Sequence, residues 1–197
     1  MLGVPSVIYK DSNGNERGVD ITSRLLRDRV VLCSGEVTDE LAESITAQLL
    51  YLEAEDPDKL ITMIVSGPGG AVTAGLAIID TMNMISCPVS TIVSGEVASM
   101  DAMIALSGTK GKRKIMSHAR YMLHSVSSGV KASFHDMKIT LEEVGRLQDM
   151  LMNMIAEASG KDVEQVKKDC ERDFWMSASQ AIEYGIVDEI VKSHKGI

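Results

Sequence analysis

Twice in this chain a strand-length apolar run stops at a glycine-containing turn and is followed by a helix, and this repetition limits the possible folds more than any other feature. Ile61-Thr62-Met63-Ile64-Val65 ends at Ser66-Gly67-Pro68-Gly69-Gly70, after which Ala71 to Ile85 reads as an apolar helix. Val89-Ser90-Thr91-Ile92-Val93 is followed by Ser94-Gly95-Glu96 and a small-residue helix from about Val97 to Leu106. Parallel strands need a crossover, normally a helix, so the pattern predicts an α/β fold with a largely parallel sheet.

Further along, Arg120-Tyr121-Met122-Leu123-His124 reads as a strand ending at a histidine. Met137, Leu141, Val144, Leu151 and Ile155 form one stripe of a long helix, interrupted at Gln148 and closed by Gly160. A short helix is expected within Lys161 to Cys170. Ser177-Ala178-Ser179-Gln180 opens a capped helix through Tyr184, stopped by Gly185, and Ile186 to Val191 reads as a strand. The segment Lys10 to Gly18, with Asn13-Gly14-Asn15, is expected to be a flexible loop. With 197 residues, 45% of them hydrophobic, and no low-complexity linker, one domain over 1–197 is predicted.

A net charge of −8 argues against nucleic acid or anionic lipid as the organising partner. No run approaches the roughly 18 apolar residues of a membrane span, and Met1-Leu2-Gly3-Val4-Pro5 lacks the basic-then-apolar order of a signal peptide, so a cytoplasmic location is expected. Cys33, Cys87 and Cys170 are widely spaced, which points to reduced thiols rather than a disulfide framework or a metal site.

Each glycine turn precedes a helix, whose first N–H groups lack internal acceptors and can face a negatively charged atom. Neither turn matches a dinucleotide or nucleoside triphosphate motif. In Ala98-Ser99-Met100, Ser99 is either an N-cap or an exposed hydroxyl beside a free N–H. A nucleophilic serine needs a base and a group that orients the base. His135 and His194 read as surface residues and His118 as part of a turn, whereas His124 lies at the sheet edge where α/β proteins place ligands, as a base or as a satisfied core histidine. Asp173, between Arg172 and Phe174-Trp175, is an acid beside an aromatic wall, or one half of an ordinary ion pair.

Gly67-Pro68-Gly69-Gly70, Ala98-Ser99-Met100, Met122-Leu123-His124 and Glu171-Arg172-Asp173, in this order, resemble the ClpP family, the proteolytic subunits of Clp proteases. Further matching stretches include Ser23-Arg24-Leu25-Leu26-Arg27-Asp28-Arg29, Gly108-Thr109-Lys110-Gly111-Lys112-Arg113 and Glu183-Tyr184-Gly185-Ile186-Val187-Asp188, so the resemblance covers nearly the whole chain.

The resemblance implies a crotonase-like fold with a protruding handle helix over 132–159, and a serine endopeptidase that cuts unfolded proteins into short peptides. It makes Ser99 the nucleophile, His124 the general base and then acid, and Asp173 the group that fixes the imidazole. Gly70 and Met100 become the oxyanion-hole donors, and Arg172 the residue linking ring assembly to triad alignment. It also implies two stacked seven-subunit rings, an AAA+ ATPase that unfolds substrates, a mobile axial pore loop over 1–19, and no cofactor in this chain, since ATP is used by the partner.

Several positions depart from the family pattern. Ser66-Gly67 replaces Asn-Ser, and Asp101 replaces the glycine after Ser-Met. His124-Ser125-Val126 replaces His-Gln-Pro, the substrate strand is thinned to Ser128-Gly129-Val130-Lys131-Ala132, and Thr62 and Ile64 replace tyrosines of the ATPase docking cleft. Asp101 opposes a developing oxyanion if it points inward, and favours the helix dipole if it points away. These departures leave a second reading, a regulatory ring subunit active only when mixed with another proteolytic subunit. A third is an acyl-CoA hydratase or isomerase, which shares the architecture but does not require the Ser, His, Asp order.

Overall fold

A computed structural model describes residues 5–10, 14–127, 129 and 133–191. After an antiparallel hairpin of β1 (Ser6–Lys10) and β2 (Glu16–Asp20) comes α1 (Ile21–Arg27), capped by the Asp20 carboxylate on the Ser23 N–H. The segment expected as a loop over 10–18 is thus strand at Lys10 and from Glu16 onward, with residues 11–13 outside the described part.

The main sheet has the order β3 (Val30–Ser34), β4 (Ile61–Gly67), β5 (Val89–Ala98), β6 (Lys114–Met116), β9 (Glu189–Val191), and β5 also pairs with β7 (Arg120–Leu123). All of these pairings are parallel, as the repeated unit requires. The exception is β8 (Phe174–Ser177), which runs antiparallel to β7. The sequence reading did not anticipate β8, because four residues following a polar turn carry too little periodicity to separate from loop.

Between the strands run α2 (Asp39–Glu55), α3 (Val72–Met84) and α4 (Ser99–Leu106). Ala42, Ile45, Leu49 and Leu52 of α2 and Ile78, Ile79 and Met82 of α3 join the inward residues Val31, Cys33, Ile61, Met63 and Val65 in the core. In α4, Met100 through Leu106 are all buried, as befits a helix with no polar face other than Asp101.

Two boundaries differ from expectation. Ser94-Gly95-Glu96 is not a turn between strand and helix but a kink within β5, where Val65 and Gly67 pair with Val93 and Val97. Before the kink β5 pairs with β6, and after it with β7. Gly95 has φ +68, which a glycine adopts freely. The helix therefore begins at Ser99 rather than near Val97.

The long helix α5 (Phe134–Ser159) is capped by Ser133 and ended by Gly160 in the left-handed conformation. Its stripe divides: Leu151 and Ile155 are buried in the subunit, while Met137 and Leu141 are exposed. After it come α6 (Val163–Asp169) and α7 (Ala178–Tyr184), the latter with a complete Ser177/Gln180 capping box. The basic turn is structural: Arg113 is buried and bonds both carboxylate oxygens of Asp188 as well as the Ala158 and Gly185 carbonyls.

Candidate active site

Ser99 sits where β5 turns into α4. Ala98 is extended, Ser99 has φ +53, and the helix follows at once. Among the described residues only Arg29 and Ser99 are non-glycine residues at positive φ, a conformation that is about 1–2 kcal/mol unfavourable for an L-residue. The capping alternative fails, since Ala98 is the N-cap and no side chain caps this helix. A sharp strand-to-helix reversal of this kind presents a side chain at the sheet edge, as in nucleophile elbows.

Against Ser99 lies the first glycine turn. A Cβ on Gly69 would stand 2.5 Å from the Ser99 Cβ, and a Cβ on Gly70 would strike the Val37 backbone. Both glycines have positive φ, +97 and +155, so the sequence needs glycine here for conformation as well as for space. The turn is bonded to the strand-edge residue Val37, whose N–H donates to the Gly69 carbonyl and whose carbonyl accepts from Ala71 N–H, both at 2.8 Å. The Gly70 N–H makes no hydrogen bond among the described residues, and Met100 lies in the first turn of α4, where N–H groups lack helical acceptors.

His124 follows β7, which ends at Leu123, one residue before the expected strand end. Two sets of bonds hold it. The Tyr121 hydroxyl donates to the Ala102 carbonyl, tying β7 to the helix that carries Ser99. Beyond it, the Ser125 N–H and hydroxyl both donate at 2.8 Å to the Cys170 carbonyl, and the Val126 N–H donates at 2.7 Å to Gln148 Oε1. Gln148, which interrupts the apolar stripe, thus anchors the segment after the histidine.

Because Leu123 pairs with Phe174, the antiparallel register sets position 124 beside position 173. His124 Nδ1 lies 3.9 Å from Asp173 Oδ1. The Asp173 side chain is 64% exposed, so the aromatic neighbours do not enclose it. Phe174 instead packs edge-on against Tyr184. Arg172 is exposed and unpaired among the described residues. His118 and His135 are exposed, and His194 lies outside the described residues.

Gly70, Ser99, Met100 and His124 line one narrow cleft with Leu151 and Met152 of α5. A more spacious cavity of about 350 Å³, bordered by α3, α4 and α5, contains none of these groups. Among the described residues no three His, Cys, Asp or Glu side chains gather as a metal site, and no helix is long and apolar enough to cross a membrane.

Asp101 settles the question its sequence position raised. It is fully buried and does not line the cleft; its Oδ2 accepts the Gly69 N–H at 2.8 Å, beneath the glycine turn. A Cβ on Gly67 would collide with this carboxylate, so the two departures at 67 and 101 fit one another. Burial pushes the Asp101 carboxyl up to about 6, with the Gly69 N–H acting in the opposite direction.

Ser99 at positive φ, the unbonded Gly70 N–H, the start of α4 and His124 thus share one cleft, with Asp173 beside the histidine, an arrangement suited to acyl transfer. The sequence model of the Clp protease family matches residues 13–194. The chain belongs to the Clp protease family. An ATP-dependent Clp protease proteolytic subunit from Streptococcus sanguinis (strain SK36) is 49% identical over 192 residues, covering 96% of this chain and 97% of the relative. As a Clp protease, the chain keeps its glycine turn, its serine elbow and its histidine strand within the matched span. The sequence reading flagged Asp101 and the break at Gln148 without giving either a supporting role, and it missed Tyr121. Asp101 carried the clearer signal, as the one charge in a largely apolar helix, and Gln148 a weaker one, as the break in the α5 stripe.

Proposed function

We propose that the chain is a serine endopeptidase subunit that hydrolyses unfolded polypeptides to short peptides. The observation carrying this reading is the serine at positive φ between the Gly69-Gly70 turn and His124, all on one cleft. Ser99 Oγ attacks the scissile carbonyl carbon while His124 accepts the hydroxyl proton. The carbonyl oxygen becomes an oxyanion facing the N–H groups of Gly70 and Met100. His124 then gives its proton to the leaving amine, the C–N bond breaks, and an acyl-Ser99 ester remains. Water, deprotonated by His124, attacks the ester, and Ser99 regains its proton as the peptide acid departs. Asp173 holds the imidazole with Nδ1 protonated. Each backbone donor contributes about 10²- to 10³-fold to turnover.

The relative is named as the proteolytic subunit of an ATP-dependent protease, which supports an ATPase partner for this chain too. In the same reading the fold is crotonase-like, the protein is cytoplasmic, and the exposed apolar half of α5 docks one heptameric ring on another. Arg172, free on the surface of the single chain, lies where a neighbouring subunit can engage it and draw Asp173 toward His124. The N-terminal hairpin borders the axial pore. The regulatory-subunit reading gains no support from the family match or the relative.

Intact mass after fluorophosphonate treatment tests the nucleophile, with Ser99→Ala as control. One adduct on the native chain and none on the variant is the expected result. An unmodified native chain would overturn the serine reading.

A further inference from the structure

Two consecutive glycines make a poor oxyanion donor unless something stops their peptide planes from flipping, because neither has a Cβ to restrict it. In this chain the plane after Gly69, which carries the Gly69 carbonyl and the Gly70 N–H, is fixed by Val37 N–H on that carbonyl. With the carbonyl directed at Val37, the Gly70 N–H on the opposite side of the same plane points away from Val37. The plane before Gly69, which carries the Gly69 N–H, has a different anchor. Its partner is Asp101 Oδ2 at 2.8 Å.

We infer that Asp101 is a positioning residue for catalysis: its buried carboxylate locks the Gly69 peptide from below and thereby holds the Gly70 N–H toward the Ser99 cleft. The inference rests on the serine peptidase reading above. Several observations converge on it. Asp101 is wholly inaccessible to solvent, yet only one of its oxygens is bonded, and that bond goes to the residue next to the proposed donor. The absence of a side chain at Gly67 is what makes room for it. Asp101 also stands two residues after Ser99 on the rigid first turn of α4, so one helix start supports both nucleophile and turn. The carboxyl's upward shift still leaves it ionised at pH 7 and above, where a charged acceptor makes the stronger bond to an N–H. The Cys33 thiol on β3 also feels this carboxylate and is pushed up to about 12, by burial first and then by the Asp101 charge, so it remains neutral beside it.

The test compares Asp101→Leu, which keeps the shape and deletes the acceptor, with Asp101→Asn, which keeps both shape and acceptor. Steady-state hydrolysis of a small fluorogenic peptide amide is measured on the assembled full-length proteins. The Leu variant is expected to lose 10- to 100-fold in kcat with KM within threefold, and the Asn variant to stay within threefold of the native kcat. Equal kcat in native and Leu proteins, or an Asn variant as impaired as the Leu variant, would overturn the inference. Asp101→Ala is the second deletion variant if Leu does not fold. Residue-resolved hydrogen exchange on the native protein provides a further check: the Gly69 amide is expected to exchange far more slowly than that of Gly70, and equal rates would remove the lock. A native protein that neither takes up fluorophosphonate at Ser99 nor cleaves the peptide would remove the serine reading, and this inference with it.

Discussion

His124 Nδ1 and Asp173 Oδ1 stand 3.9 Å apart, one position beyond the last paired residues of β7 and β8. Register alone has brought the two groups together. A hydrogen bond requires about 2.7–3.2 Å, so a closure of roughly 1 Å separates this arrangement from an oriented imidazole. Asp173 is largely exposed, and in the proposed reading a neighbouring subunit supplies the closing contact.

The contact should appear in labelling rates. Fluorophosphonate is expected to modify Ser99 faster in assembled fractions than in protomer fractions from the same size-exclusion run. Asp173→Ala should lower kcat by about 10³- to 10⁴-fold with little change in KM. Equal labelling of the two fractions would mean that the single subunit is already aligned.

At the glycine turn, Gly69→Ala places a methyl group 2.5 Å from the Ser99 Cβ and strains a residue at φ +97. The expected result is a loss of kcat of about 10²-fold or more, in line with the loss of one oxyanion donor. Gly14→Ala, at φ +81 but in open space, is the control for backbone strain alone, and should leave kcat unchanged.

Asp101 makes the stability of the fold depend on pH with a definite sign. Its carboxyl rises from 3.8 to about 6 on folding. Below about pH 4 both states hold the proton, and burial carries no ionisation penalty. Between about 4 and 6 the native state retains the proton that the unfolded chain releases, so stability falls as pH rises, by about 2–3 kcal/mol in all. Asp101→Asn cannot ionise. Its Tm is therefore expected to exceed that of the native protein at pH 8, with the difference shrinking toward pH 4. A difference independent of pH would rule out the buried ionisation.

The divided stripe of α5 predicts two distinct phenotypes. Leu151→Ala and Ile155→Ala remove buried groups and should destabilise the subunit by about 2–5 kcal/mol, read from denaturant unfolding. Met137→Glu and Leu141→Glu alter exposed positions and should leave subunit unfolding nearly unchanged while shifting the sedimentation profile to smaller species. An unchanged sedimentation profile would exclude this face from assembly.

Asp188→Ala strands Arg113, whose side chain is only 5% exposed, without its charge partner. Loss of one member of a buried pair is expected to destabilise by about 3–5 kcal/mol, seen as a lower denaturant midpoint. Arg113→Met, which removes the buried charge itself, should be milder.

The parallel sheet, the first glycine turn and the ends of α5 and α7 were legible in the sequence because each leaves a strong local mark: a periodicity, a left-handed position that favours glycine, or a capping box. The kink of β5 was not. Ser94-Gly95-Glu96 is a loop by composition, and only the simultaneous demands of β4, β6 and β7 keep it within a strand. Within the site, His124 could be ranked from its place at a sheet edge and Ser99 only from the family resemblance, and their convergence depends on a strand register that no local window contains. Asp101 could be flagged as out of place, yet its direction was set by the space at Gly67, 34 positions earlier in the chain.

The branching of β5 has a consequence for how the molecule can open. Among the described residues, Ser99 is delivered by the one strand hydrogen-bonded to three others, and it leads directly into a helix buried along nearly its whole length. Partial unfolding that frays the hairpin or the tip of α5 leaves those ladders intact, so the elbow opens only when the whole domain does. Loss of the reactive serine and loss of the fold are then a single cooperative event: heat or denaturant should yield no population of folded but locally melted active sites.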